Sequence, residues 1–228
     1  MGLSIVRTAD ERLACGAVRE LLSRELEHPR GGGNVLVLAP SLAQALDVQR
    51  ELAAARGLSM GVDCITAEAW CQLRWALYGD GRALVSAPER AVLMALVVAE
   101  AADRGELDPL DGGKGTVELL CDAARRWKLE PVAGLSAGEV RAVELLGAYE
   151  HKLVERGLVE PARAAALLPT TMAGEGAVLP ACVMLAPVGM GELRRPAREL
   201  ALAYARVGEF AYVVADDGGP ACAVVREG

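Results

Sequence analysis

The segment Arg125-Arg126-Trp127-Lys128 places three cations beside an indole ring. Cations in such a cluster bind the phosphate backbone of a nucleic acid, and an indole face stacks on a base. The segment therefore predicts a contact with single-stranded nucleic acid. In the alternative interpretation Trp127 packs in a core and the three cations are solvated, and the residues alone leave both open.

Nucleotide-hydrolysing chemistry needs a different set of residues, which this chain lacks. A phosphate-binding loop uses glycines and a lysine after the first strand, but residues 7–12 read Arg-Thr-Ala-Asp-Glu-Arg. There Thr8 and Glu11 match a helix capping box instead. After residues 183–185 of the predicted strand 181–186, no carboxylate that could hold magnesium precedes Glu192. We therefore expect no cofactor and no ATP hydrolysis.

Other motifs have simpler explanations. Gly112–Thr116 resembles a phosphate loop in composition, yet no strand precedes it, and Glu150-His151-Lys152 lies within a helical pattern. Asp216-Asp217 precede Gly-Gly-Pro, which is typical of a turn. The six cysteines form no C-x-x-C pair, and only two histidines are present. These patterns predict free thiols and no metal site.

The elements that must position these residues alternate between strand and helix in the first third of the chain. Three strand-to-helix units in succession predict a parallel, doubly wound α/β sheet. Ser41 is a predicted N-cap of the second helix. The predicted strands are 3–7, 35–39 and 61–66, and the predicted helices are 10–27, 42–55 and a third that carries Trp70 and Trp75 in a core.

The pattern then changes to helix alone and later returns to alternation. Predicted helices cover 91–102, 116–128 and 138–156, and they are followed by a strand at 181–186, a helix at 192–206 and a strand at 210–215. The sequence therefore predicts an α/β domain formed by residues 1–86 and 171–228. An all-helical insertion, 87–170, interrupts it.

Composition narrows the class of protein. The 228 residues are 53% hydrophobic and 24% charged, which predicts a globular chain and excludes disorder. The net charge of −7 argues against non-specific coating of nucleic acid, although it leaves room for a local basic groove. No uncharged stretch is long enough to span a membrane and no signal-peptide pattern occurs, so we expect a cytoplasmic protein.

Four segments together resemble superfamily 1 helicases, and among these the AddB and RecC family. These proteins are helicase-like subunits of bacterial ATP-dependent helicase–nucleases that process DNA double-strand breaks. "NVLVLAPSLAQALDVQRELAAARG" is similar to the second strand and helix, and "GVDCITAEAWCQLRWALYGDG" to the next strand with its Thr-Phe element. "LLGAYEHKLVERGLVEPARAAALL" is similar to the end of the helical insertion, and residues 182–217 lie where the Walker B region returns.

The resemblance implies a RecA-like sheet of the P-loop NTPase class. It implies that Pro40, Ser41, Gln44 and Thr66 lie near single-stranded DNA, and that the chain works with a helicase–nuclease partner subunit. Ala67 replaces the usual aromatic residue. Because both ATP motifs are missing, the resemblance favours an inactive domain that binds or guides DNA. It also implies an N-terminal fragment or a split subunit.

Two further interpretations stay open. The first is a protein-interaction scaffold of the same complex that binds neither DNA nor nucleotide, which the net charge of −7 favours. Replacing Arg125, Arg126 and Lys128 by alanine separates it from the DNA-binding interpretation. The second is an active enzyme of an unrelated α/β type with a nucleotide at the strand ends, for which the sequence offers no catalytic constellation.

Overall fold

The computed structural model of the chain describes residues 2–8, 34–56, 61–107, 113–126, 136–186, 195–215 and 224–226. The strands are β1 (Gly2–Thr8), β2 (Val35–Ala39), β3 (Val62–Thr66), β4 (Ala83–Leu84), β5 (Leu158–Val159), β6 (Ala181–Leu185), β7 (Glu209–Ala215) and β8 (Val224–Arg226). The helices are α1 (Leu42–Arg56), α2 (Ala67–Tyr78), α3 (Ala87–Asp103), α4 (Lys114–Arg126), α5 (Ala137–Glu155), α6 (Pro161–Gly174) and α7 (Arg195–Val207). Among the helices so described, none is both long and apolar enough to cross a bilayer. The predicted helix 10–27 lies outside the described residues.

The main sheet has six strands in the order β3-β2-β6-β7-β1-β8. Five of them run parallel, which confirms the predicted α/β class with a parallel sheet. The sixth, β8, pairs antiparallel with β1 at the edge. No strand was predicted at β8, because three residues are too few to show a strand period.

Both faces of the central strand β2 are buried, which explains why it is a continuous apolar run. On one face Val37 and Val183 form a core with Val48 and Leu52 of α1. On the other face the rings of Tyr204 and Phe210 lie 5.8 Å apart between centroids. Trp70 lies 6.2 Å from Tyr204, and both Trp70 and Trp75 are buried, as predicted.

The chain divides into two compact units. Residues 1–79 and 165–228 form the first, here called the sheet unit, and residues 80–164 form the second unit. The predicted insertion, 87–170, overlaps most of the second unit. In that unit α3, α4 and α5 pack around a core that includes Met94, Val97 and Tyr149.

The second unit is not made of helices alone. Its two short strands, β4 and β5, pair in parallel, with Ala83 opposite Leu158 and Leu84 opposite Val159. Two-residue strands carry no detectable period, so the helix-only prediction missed them. The helices α3 and α5 begin at capping boxes, in which Ser86 and Ser136 each accept a hydrogen bond from the backbone three residues later.

The four described cysteines are free, as predicted. Cys71 and Cys182 are buried, and Cys64 and Cys121 are half-buried. Burial raises the pKa of Cys64 to about 11 and that of Cys71 to about 12. These thiols are therefore protonated at neutral pH and are poor nucleophiles.

Candidate functional site

Two loop-to-helix turns lie side by side at the carboxyl edge of the sheet. Strands β2 and β3 pair in parallel, and their last residues, Ala39 and Thr66, are register partners. The chain turns at Pro40-Ser41 into α1, and directly after Thr66 into α2. The pairing therefore brings Pro40, Ser41, Gln44 and Thr66 to one place. Pro40 and Ser41 are exposed, and Gln44 and Thr66 are half-buried.

The two hydroxyl groups at this edge cap the helices that follow them. The Ser41 Oγ atom accepts a hydrogen bond of 3.3 Å from the backbone N–H of Gln44, which confirms the predicted cap. The Thr66 Oγ1 atom accepts one of 3.2 Å from the N–H of Ala69. Ser41 also donates to Gln44 Oε1 at 3.3 Å. Local capping thus fixes the orientation of the polar side chains at this edge.

The two helix N-termini at this edge differ in the charge of their first turns. Both α1 and α2 begin here, and the N-terminus of a helix carries partial positive charge. The first turn of α1 contains no acidic residue, whereas α2 has Glu68 in its first turn. The start of α1 is therefore the more favourable of the two for a phosphate group.

The same edge contains the topological switch point of the sheet, which lies between the neighbouring strands β2 and β6. From β2 the chain continues through α1 to β3 on one side, and from β6 it continues through α7 to β7 on the other. The two helices pack on opposite faces, α1 through Val48 and Leu52 and α7 through Tyr204. Open α/β sheets bind ligands in the crevice that such a divergence creates.

Part of the predicted basic segment lies in the second unit. Arg125 and Arg126 are the last residues of α4, with side chains 56% and 43% exposed. Both contact Asp122 Oδ1, at 3.4 Å from Arg125 Nη2 and 2.7 Å from Arg126 Nε. Trp127 and Lys128 lie outside the described residues. The described residues thus assign the predicted DNA contacts to two units, with the sheet-edge group in one and the arginines in the other.

The sequence analysis missed a buried polar network in the second unit. The Glu160 carboxylate accepts hydrogen bonds from Arg90 Nε at 2.8 Å and Nη2 at 2.7 Å, and from the Tyr149 hydroxyl at 2.6 Å. Burial, followed by the hydrogen bond to Glu160, raises the pKa of Tyr149. Hydrogen bonding to Glu160 raises the pKa of Arg90. Three elements are thereby joined through one buried carboxylate.

The sequence places two members of this network close together and the third far away. The segment that resembles the end of the helical insertion contains both Tyr149 and Glu160, eleven residues apart. Their contact follows from the turn after α5, where Gly157 has a positive φ of 65° and reverses the chain into β5. Arg90 is 70 residues distant in sequence, and no local pattern indicates it.

Comparison with known proteins adds no identification. No model of a protein family matches the chain, and no curated protein does.

Proposed function

We propose that this chain is a catalytically inactive, RecA-like domain of a DNA helicase–nuclease, and that it binds or guides single-stranded DNA at the carboxyl edge of its sheet. The observation that carries the proposal is the register of Ala39 with Thr66. It brings together the two turns for which the resemblance implies DNA contacts.

The chemistry of the edge supports a backbone contact. A phosphate beside the start of α1 meets backbone N–H groups and no carboxylate from the first turn of that helix. The exposed Pro40-Ser41 turn leaves room for a strand that runs across the ends of β2 and β3. Such contacts read no bases, so the proposed binding is independent of DNA sequence at this edge.

The proposed fold assigns the second unit to an insertion between β3 and β6. In support, the chain leaves the sheet after β3, at one edge, and returns at β6, beside β2. The proposed lack of ATPase activity rests on the sequence, in which residues 7–12 lack glycine and lysine and no carboxylate follows β6 before Glu192. Magnesium-dependent ATP hydrolysis by the pure chain would contradict this part of the proposal.

The binding edge is tested by adding charge without removing the helix caps. Ser41→Asp and Thr66→Asp retain a capping oxygen, because aspartate is as good an N-cap as serine. Each adds a negative charge at one of the two turns that the proposal places against the DNA backbone, and we expect the affinity for a labelled single-stranded oligonucleotide to fall about fivefold or more. Fluorescence anisotropy measures it at constant salt.

Ser136→Asp is the matched control for these two variants. Ser136 caps α5 in the second unit, and its substitution changes the net charge by the same amount. We expect its affinity to equal that of the wild-type chain. Equal affinity of all three variants would contradict DNA binding at the sheet edge.

A protein-interaction scaffold is the second candidate, favoured by exposed leucines. Leu42 and Leu46 on α1, and Leu73 and Leu77 on α2, are spaced four residues apart and are between 41% and 71% exposed. Such apolar pairs on a chain of net charge −7 suit a protein partner. The two candidates differ in one observable, because only the DNA-binding domain binds an oligonucleotide at low salt.

A further inference from the structure

The helix α3 is apolar on the side that faces solvent as well as on the side that faces the core. Residues 91–99 read Ala-Val-Leu-Met-Ala-Leu-Val-Val-Ala, without one polar side chain. Four of these nine residues are buried in the core of the second unit. The other five are exposed and form what is here called the outer face of α3: Ala91, Val92, Ala95, Leu96 and Ala99.

The helix α5 of the same unit shows what an ordinary solvated face looks like on this chain. It packs into the same core as α3, through Leu145, Tyr149 and Leu153. Its exposed residues include four glutamates, namely Glu139, Glu144, Glu150 and Glu155. The apolar outer face of α3 is therefore not a general consequence of a composition rich in alanine and valine. A helix that is apolar all round is normally buried all round, so this face is suited to contact another protein.

The shape of the outer face suits a second helix. Val92 and Leu96 are 60% and 41% exposed and lie four residues apart, so they project from one row of the helix surface. Beside them the alanines at 91, 95 and 99 are also four residues apart and leave a shallow row of small side chains. Helices pack by fitting the ridge of one into such a row of the other.

One border of the outer face is acidic. Glu89 and Glu100 are both exposed and lie eleven residues apart, which is about three helical turns, so they lie on the same side of α3. Leu96 lies between them at the same helical spacing. Glu100 remains 50% exposed although its Oε1 atom accepts a hydrogen bond from Lys152 Nζ at 2.8 Å. Asp103, also exposed, is the last residue of the helix.

These charges decide between two possible occupants of the outer face. If two copies of the chain paired antiparallel through it, the border with Glu89 and Glu100 would meet the same border of the other copy. Like charges facing each other oppose such a pairing, whereas cations on a different protein would be attracted. The net charge of −7 acts in the same direction.

We propose that the outer face of α3 docks an amphipathic helix of a partner protein, and that this helix carries an apolar row bordered by lysine or arginine. Such docking uses apolar anchors at helical spacing for affinity and border charges for orientation. The inference goes beyond the proposed function and does not depend on DNA binding, because it involves a different surface and a different class of partner.

The test is a selection from a phage-displayed library of helical peptides against the full chain. We expect enriched peptides to have an apolar row with lysine or arginine beside it, and to bind more weakly as salt increases. Val92→Glu puts a carboxylate within the outer face, and we expect it to weaken a selected peptide about tenfold or more. Val140→Glu is the matched control, because Val140 is an exposed valine on α5 of the same unit, and we expect unchanged affinity.

A second measurement uses the wild-type chain and so does not depend on how the variant folds. A selected peptide that carries a benzophenone should crosslink to residues within 88–103. Three results would overturn the proposal: no enriched peptide, enriched peptides with acidic residues beside the apolar row, or equal affinity for the wild-type chain and Val92→Glu. A dimer in sedimentation velocity that Val92→Glu dissociates would also overturn it, because the occupant would then be a second copy.

Discussion

The two units are stabilised by different interactions. In the sheet unit the central strand β2 is apolar and buried over its whole length, and the polar residues Ser41 and Thr66 stay at the edge, where they cap helices. In the second unit an arginine, a glutamate and a tyrosine are buried in contact with one another. We therefore expect the loss of a polar group to cost the second unit more stability than the sheet unit.

The difference bears on how each unit specifies its structure. Apolar side chains in a sheet are interchangeable with others of similar volume, at a modest cost in stability. A buried carboxylate must keep its partners, because removal of one leaves an uncompensated charge. The network at Glu160 thus fixes how α3, α5 and the turn before α6 meet.

The largest expected effect is that of Glu160→Gln. This substitution leaves the Arg90 guanidinium buried without a countercharge, and we expect the free energy of unfolding of the second unit to fall by about 3–5 kcal/mol. Hydrogen exchange read by mass spectrometry should show faster exchange in α3 and α5 and little change in β2 and β6.

Two substitutions control for this effect. Glu155→Gln breaks an exposed pair with His151, at 3.2 Å, and should change stability by no more than about 0.5 kcal/mol. Leu38→Ala, in the sheet core, should cost about 2–5 kcal/mol and accelerate exchange in the sheet unit first. If Glu160→Gln accelerated hydrogen exchange equally in both units, the two would unfold as one cooperative unit. That result would contradict the proposed difference between them.

An intermediate effect comes from the same substitution in each unit. The Tyr149 hydroxyl donates to the Glu160 carboxylate, and the Tyr204 hydroxyl donates to the Pro180 carbonyl, both at 2.6 Å. A hydrogen bond to a charged group contributes about 1.5–3 kcal/mol, and one between neutral groups about 0.5–1.5 kcal/mol. We therefore expect Tyr149→Phe to lower the free energy of unfolding more than Tyr204→Phe, as urea denaturation measures it. A larger loss in the free energy of unfolding for Tyr204→Phe would contradict the proposed difference between the two units.

The smallest effect is a loss of stability in alkali. Burial raises the pKa of both Tyr149 and Tyr204 above the value of about 10 that tyrosine has in an unfolded chain. A group with a raised pKa contributes its full stability below the unfolded pKa and loses it as the pH rises above that value. Urea midpoints should begin to fall near about pH 8.5, where the buried thiols titrate in the unfolded chain, and should fall further above about pH 10, where the tyrosines do. The fall should be shallower in a Tyr149→Phe, Tyr204→Phe double variant.

The sheet unit was the more predictable of the two units, for a physical reason. A strand buried on both faces is a continuous apolar run, and β2 has the predicted bounds, Val35–Ala39. The helix after it was predicted to begin at Leu42, because Ser41 is a cap residue. Strand order, by contrast, depends on pairing between distant segments, so the placement of β6 beside β2 is visible only in the structure.

The second unit was predictable in its helices and unpredictable in its polar core. Its three long helices show apolar periodicity, which the sequence analysis used. The glutamate at the centre of its network follows β5 and looks in sequence like a surface residue, because its partners lie 11 and 70 residues away. A charged residue is buried only when tertiary contacts pair it, and such contacts have no local signature.

The most direct test of the account is a titration of a labelled single-stranded oligonucleotide with this chain, followed by anisotropy at about 50 and 200 mM salt. We predict micromolar binding that weakens strongly at the higher salt, because each phosphate contact releases counterions. With Arg125→Ala and Arg126→Ala together, the salt dependence should become shallower by about two contacts. Absence of binding at the lower salt would contradict the account and favour the scaffold.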